Sequence, residues 1–154
     1  MAAELKDRDG KPVSPRGNDC AMTEMEVRIF LRDTDPSANI LIDDYEFSSE
    51  EIRTAMNMAM DRWNDMPPDI YRGDYDAFPY RSIFLLGVAS YLLSIAANRY
   101  RRNSLAINAG GTSVNDQDKS GQYDQAAARL REEFLHAVRT KKRELNSNLG
   151  WGWA

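Results

Sequence analysis

The sequence predicts an all-α fold: a four-helix, bundle-like subunit with a long central apolar helix, an extended N-terminal arm and a C-terminal tail. Two capping boxes, Thr23 with Glu26 and Ser48 with Glu51, each precede residues at helical apolar spacing. Residues 83–97 are almost wholly apolar, and strand-type alternation is nearly absent. At 154 residues, 42% of them hydrophobic and 29% charged, the chain is of ordinary size and composition for one soluble domain.

Residues 1–22 are polar and carry Gly10, Pro12, Pro15 and Gly17, so they read as an arm that buries little. They contain no apolar run of the secretory type. The helical domain is expected over residues 23–147. Thr23 opens its first helix, with Val27, Phe30 and Leu31 as the apolar face, and Pro36 closes it. Residues 39–47, with Ile40, Leu41 and Ile42, read as a packed loop or a short strand. Ser48 starts the second helix, whose buried stripe is Ile52, Ala55, Met56, Ala59 and Trp63, and Pro67-Pro68 stops it. An aromatic loop follows, with Tyr71, Tyr75, Phe78 and Tyr80.

The third helix is expected from about residue 80 to 103. Its 15-residue apolar run, 83–97, would span only about 22 Å at ~1.5 Å per residue, short of a membrane. A helix apolar on all sides belongs at a bundle centre or in a subunit interface. Residues 108–120 form a polar connection containing Gly110-Gly111. The last helix is expected over about 120–146, with an inner stripe of Tyr123, Ala127, Leu130, Phe134, Val138 and Leu145 and an outer Arg129–Glu133 pair. Residues 148–154 are the tail, ending Gly150-Trp151-Gly152-Trp153-Ala154.

Little in the sequence points to catalysis. A nucleophile needs a base and an orienting group, and the lone histidine, His136, lies off the inner stripe of its helix. A lone cysteine, Cys20, forms no intrachain disulfide and reads as an incidental thiol. Asp116, Asp118, Ser120, Gly121 and Asp124 match part of a calcium loop, but its last position, normally a bidentate glutamate, is Ala127. Met56, Met58, Met60 and Met66 lack a cysteine or histidine beside them and read as core filling. No catalytic, cofactor or metal site is expected, and no cofactor.

Charge is segregated along the chain. Residues 43–76 hold ten acidic and three basic side chains. Residues 98–103 hold Arg99, Arg101 and Arg102 with no acid, and residues 139–144 hold Arg139, Lys141, Lys142 and Arg143 with one. Two readings stand: solvated faces that complement helix dipoles, or subunits meeting head to tail, acidic face on basic face. The net charge of −4 argues against a phosphate-coating surface. The loop aromatics could stack on bases, but Asp69, Asp74 and Asp76 lie among them, which favours a packing role. Trp151 and Trp153 either fold back on the core or anchor the chain in a partner's pocket. The partner-binding set read from the sequence is Trp151, Trp153, Arg139, Lys141, Lys142 and Arg143.

A set of short segments stands in a fixed order: residues 25–33 ending Phe-Leu-Arg-Asp, Asp43-Asp44 before Phe47-Ser48-Ser49-Glu50-Glu51-Ile52, and Asp61-Arg62-Trp63-Asn64 with Pro67-Pro68. Phe78-Pro79-Tyr80-Arg81, the 108–114 loop Asn-Ala-Gly-Gly-Thr-Ser-Val and the terminal Gly-Trp-Gly continue it. In this order and spacing the segments resemble the head–tail connector (adaptor) family of long-tailed bacteriophages, a likeness that covers about residues 23–153. The resemblance implies a non-enzymatic structural protein of the virion neck, assembled in the host cytoplasm as a homo-oligomeric ring of about twelve subunits. Such a ring binds the portal protein and a downstream tail or stopper protein. It continues a channel through which double-stranded DNA passes, during ejection, without sequence-specific binding. No membrane is implied. The competing reading is a small helical nucleic-acid-binding regulatory protein, because residues 99–102 and 139–143 could contact phosphate.

Overall fold

The computed structural model describes residues 22–38, 44–75, 78–103, 108–109, 112–113 and 119–150. Helix α1 (Glu24–Leu31) begins where its capping box places it. The Thr23 hydroxyl accepts the Glu26 N–H at 3.3 Å, and the Glu26 carboxylate accepts the Thr23 N–H at 2.7 Å. Helix α2 (Ser49–Asp65) opens on the same reciprocal pair, Ser48 with Glu51, at 3.2 and 2.9 Å. Each box satisfies N–H groups that no helical carbonyl can reach. Arg32, in the left-handed region at φ 59°, closes α1, and Pro67-Pro68, joined by a cis peptide, follows α2.

Helix α3 (Arg81–Asn103) is the centre of the frame. It packs most extensively on α4 (Lys119–Gly150), then on α2, with α1 against both α2 and α3. Arg99, late in α3, reaches Glu51 at the start of α2, and Tyr100 stacks on Tyr123 at the start of α4 with ring centres 5.3 Å apart. So α3 runs antiparallel to both neighbours, and α2 and α4 run parallel to each other. Trp63, Phe84, Val88, Leu92, Phe134 and Val138 fill the shared core, each at most 2% exposed. Ile52, Ala55, Met56, Ala59 and Trp63 of the expected α2 stripe are all buried, as are Ala127, Leu130, Phe134, Val138 and Leu145 of the expected α4 stripe, while Tyr123 is half-buried.

Gly87 marks the point of closest approach. A Cβ there would lie 2.9 Å from the Phe134 ring and 3.1 Å from the Ala59 side chain. Only glycine lets α2, α3 and α4 meet at this depth. By length and composition alone, the segment Arg81–Arg102 is apolar enough to cross a membrane, at a mean hydropathy of 1.4. In the fold its Phe84, Val88, Leu92 and Ala96 belong to the core.

A single turn of 3-10 helix (Pro36–Ala38) follows α1, and two-residue strands β1 (Asn108–Ala109) and β2 (Thr112–Ser113) pair antiparallel in the connection before α4. Three expectations are corrected. Helix α4 does not stop at residue 146 but continues to Gly150, through the boundary placed at 147/148. Asn and Ser cost a helix only ~0.7 kcal/mol or less each, too little to end one already anchored by buried Leu145. Met22, assigned to the arm, is 7% exposed and belongs to the core, while residues 1–21 lie outside the described residues. Phe30, assigned to the inner face of α1, is 44% exposed, because Val27 and the Arg28 guanidinium occupy that face.

Candidate interaction surface

The α4 stripe that buries Val138 and Leu145 also carries Lys142 inward. Lys142 is wholly buried: its ammonium donates to the Met66 carbonyl, donates to the Pro68 carbonyl at 3.3 Å, and sits 5.4 Å from the centre of the Trp63 ring. Burial holds its pKa below the ordinary lysine value. Lys141 pairs with Glu144 at 3.0 Å and lies 5.0 Å over the Tyr80 ring. The two lysines therefore fasten α4 to the end of α2 and the start of α3, and the assignment of Lys142 to a partner-binding surface is corrected. Arg139 and Arg143, one turn apart, are exposed. Trp151 and Trp153 lie outside the described residues.

The loop aromatics pack as a cluster. Trp63 meets Phe78 edge-on at 4.7 Å, Phe78 meets Tyr80 at 5.5 Å and Phe84 at 5.6 Å, and the Trp63 indole donates to the Tyr71 carbonyl at 2.9 Å. Tyr71 itself is exposed, with φ 51°. Met56, Met60 and Met66 fill the core, which extends the predicted stripe, and Met58 is exposed.

The basic run at the end of α3 is largely committed within the molecule. Arg99 donates to the Glu46 carbonyl at 2.6 Å and pairs with Glu51, and Arg101 pairs with Asp124. Burial opposes the charge on Glu51, but hydrogen bonds from the Ser48 N–H, Arg99 and the Ser48 hydroxyl outweigh it and hold the carboxyl below its ordinary value. Burial, then the Glu46 charge, pushes Tyr100 up to about 12. Part of the charge segregation along the chain is thus cancelled within one molecule. The clefts of about 440 and 370 Å³ beside these groups share Glu51 and Arg99, already joined to each other.

Among the described residues no three His, Cys, Asp or Glu side chains gather to hold a metal ion. Asp116 and Asp118 of the partial calcium pattern, and Cys20, lie outside the described residues; Ser120 is buried and Asp124 holds Arg101. His136 is exposed.

The surface feature that sequence reading missed is on α1. Met25, Ile29 and Phe30 are 57, 60 and 44% exposed on a helix of two turns. The signal was legible: Met25 and Ile29 are one turn apart and away from Val27, so the helix is apolar on two sides. Its inward side is fixed by Arg28, which binds Glu24 at 2.6 Å and Asp33 at 2.9 Å, while Asp33 accepts the N–H groups of Glu46 and Phe47 at 2.8 and 3.1 Å. Comparison with known protein families, with curated proteins and with solved structures finds no match to this chain.

Proposed function

We propose that this chain is a structural subunit of a virion neck: it assembles into a ring that joins the portal to the tail and continues the DNA channel. The observation that carries the reading is that several of the segments resembling the connector family form the packed parts of α1, α2 and the start of α3. Ser48 and Glu51 cap α2, Trp63 and Phe78 form the aromatic cluster, and Arg81 opens α3 and pairs with Glu26 of α1. The exposed apolar side of α1 suits a subunit whose working surfaces are contacts with other proteins.

The mass of the purified full-length chain and class averages of particle necks test this. A large closed ring supports it; a dimer with salt-sensitive affinity for duplex DNA supports the regulatory reading instead. The assembled ring is expected to bind duplex DNA weakly, since a conduit gripping many phosphates would resist passage.

Trp151 and Trp153 are the proposed anchors to the portal or to the adjacent subunit, with Arg139 and Arg143 as the exposed charges that steer the approach. Deleting residues 149–154 is expected to leave the helical signal and thermal midpoint nearly intact while abolishing attachment. Unaffected attachment, or an unfolded domain, would overturn the anchor.

A further inference from the structure

We propose that the outer face of α2 in one copy docks on the outer face of α4 in a second copy, with the two helices parallel. The inference rests on the assembly reading above and names the surfaces that reading leaves open.

Glu50, Asn57, Asp61 and Asp65 recur along α2 at spacings that put them on one face, and all four are exposed. No basic residue interrupts the row; Arg53 and Arg62 border it on either side. On α4, the exposed Arg129, Arg139 and Arg143 share a face with His136 and one acid, Glu132, and Glu133 pairs with Arg129 at 3.9 Å on its edge. Among the described residues, Glu50, Asp61, Asp65, Arg139 and Arg143 take part in no salt bridge.

The rows match in spacing as well as in sign. At ~1.5 Å per residue, Glu50 and Asp65 are about 22 Å apart along α2, and Arg129 and Arg143 about 21 Å apart along α4. Asp61 and Asp65 are one turn apart, as are Arg139 and Arg143. In each row the closely spaced pair lies toward the helix C-terminus, so the charges align only when the two helices are parallel.

Within one subunit α2 and α4 already run parallel, both packed against α3 and meeting at Gly87. Rotating a copy about an axis along these two helices keeps its α4 parallel to the first copy's α2, as the contact requires. One acidic side and one basic side make the contact heterologous, so each copy takes two neighbours and the assembly propagates until it closes. A contact of α2 on α2 or α4 on α4 would oppose like charges.

The test uses charge reversal in the full-length chain, read by sedimentation, with circular dichroism confirming the fold. Asp61→Arg with Asp65→Arg, and separately Arg139→Glu with Arg143→Glu, are each expected to weaken self-association at least about 100-fold, since opposed like charges are costly. Mixing the two variants one to one restores it, because each then offers the other a complementary face. The chain carrying all four substitutions also restores it.

Undiminished association of the single-face variants, or failure of the mixture to recover, overturns the contact while leaving ring assembly standing on other surfaces. Wild type that stays monomeric at low salt and high concentration, or that stops at a dimer, overturns it as well. Recovery by the mixture with only open filaments in electron micrographs of wild type upholds the contact and removes the ring.

Discussion

At one end of the frame, Trp63, Phe78 and Phe84 fill the space between α2, α3 and the loop that joins them, and buried Lys142 ties α4 to the same corner. At the other end, Arg99 binds Glu46 and Glu51, Arg101 binds Asp124, and Tyr100 stacks on Tyr123. The first end is held by area removed from water, the second by charges that must keep their partners. Mutation, acid and salt should therefore act on the two ends unequally.

The largest effect is expected at the aromatic end. Phe84→Ala should lower stability by ~3–5 kcal/mol, read as a fall in the urea midpoint, because the cavity cannot collapse in so close-packed a junction. An unchanged midpoint would break the contrast. At the polar end, Asp33→Ala should cost ~3 kcal/mol in the same assay, since it strands the Glu46 and Phe47 N–H groups and leaves the buried Arg28 guanidinium with Glu24 alone. Ser48→Ala should cost ~1 kcal/mol by removing the cap of α2, and faster amide exchange should be confined to its first turn.

Acid sharpens the comparison. The Arg28 hydrogen bond, then that of Ser49, holds Glu24 below the ordinary carboxyl value, and Glu51 is held there by the Ser48 and Arg99 hydrogen bonds that outweigh its burial. A carboxylate with a depressed folded pKa stabilises above its unfolded value, here 4.5, and that contribution is lost as pH falls through the lower, folded one. Below pH 4.5, amide exchange should therefore accelerate around the start of α2 before it does around Trp63; simultaneous opening would contradict this. The smallest effect is a gain: Arg32→Gly should add ~0.5 kcal/mol, since Arg32 is exposed and held at positive φ.

The parts of the fold that depend on local chemistry were legible in the sequence. Both capping boxes open their helices at the expected residues, and the inner stripes of α2 and α4 are buried as their spacing required, apart from half-buried Tyr123. What was not legible is pairing across the fold. The run from Arg139 to Arg143 reads as one basic patch, yet the helical turn sends Lys142 to the interior, lays Lys141 half-buried over Tyr80 and leaves Arg139 and Arg143 outside. The acidic stretch likewise reads as a single face until Arg99 is seen to claim Glu46 and Glu51. For the same reason the exposed side of α1 went unread: burial of Arg28, which decides its orientation, depends on an Asp33 partner supplied by the turn beyond the helix.

Helix α4 is a rod of 32 residues, about 48 Å at ~1.5 Å per residue, with no break over residues 146–148. A freely jointed tail would search a wide volume and give up that freedom on docking. Here Trp151 and Trp153 come one and three residues after Gly150, and three residues extend at most about 11 Å. Under the proposed anchoring, most of the configurational entropy of placing the two tryptophans is surrendered during folding and not at the encounter. The direction in which the chain leaves the bundle would then be a recognition element in its own right, since a partner's pocket would have to lie within that short radius of the rod's tip. Lengthening the segment after Gly150 with a flexible insert should weaken attachment by diluting the effective local concentration, even with every contact residue retained.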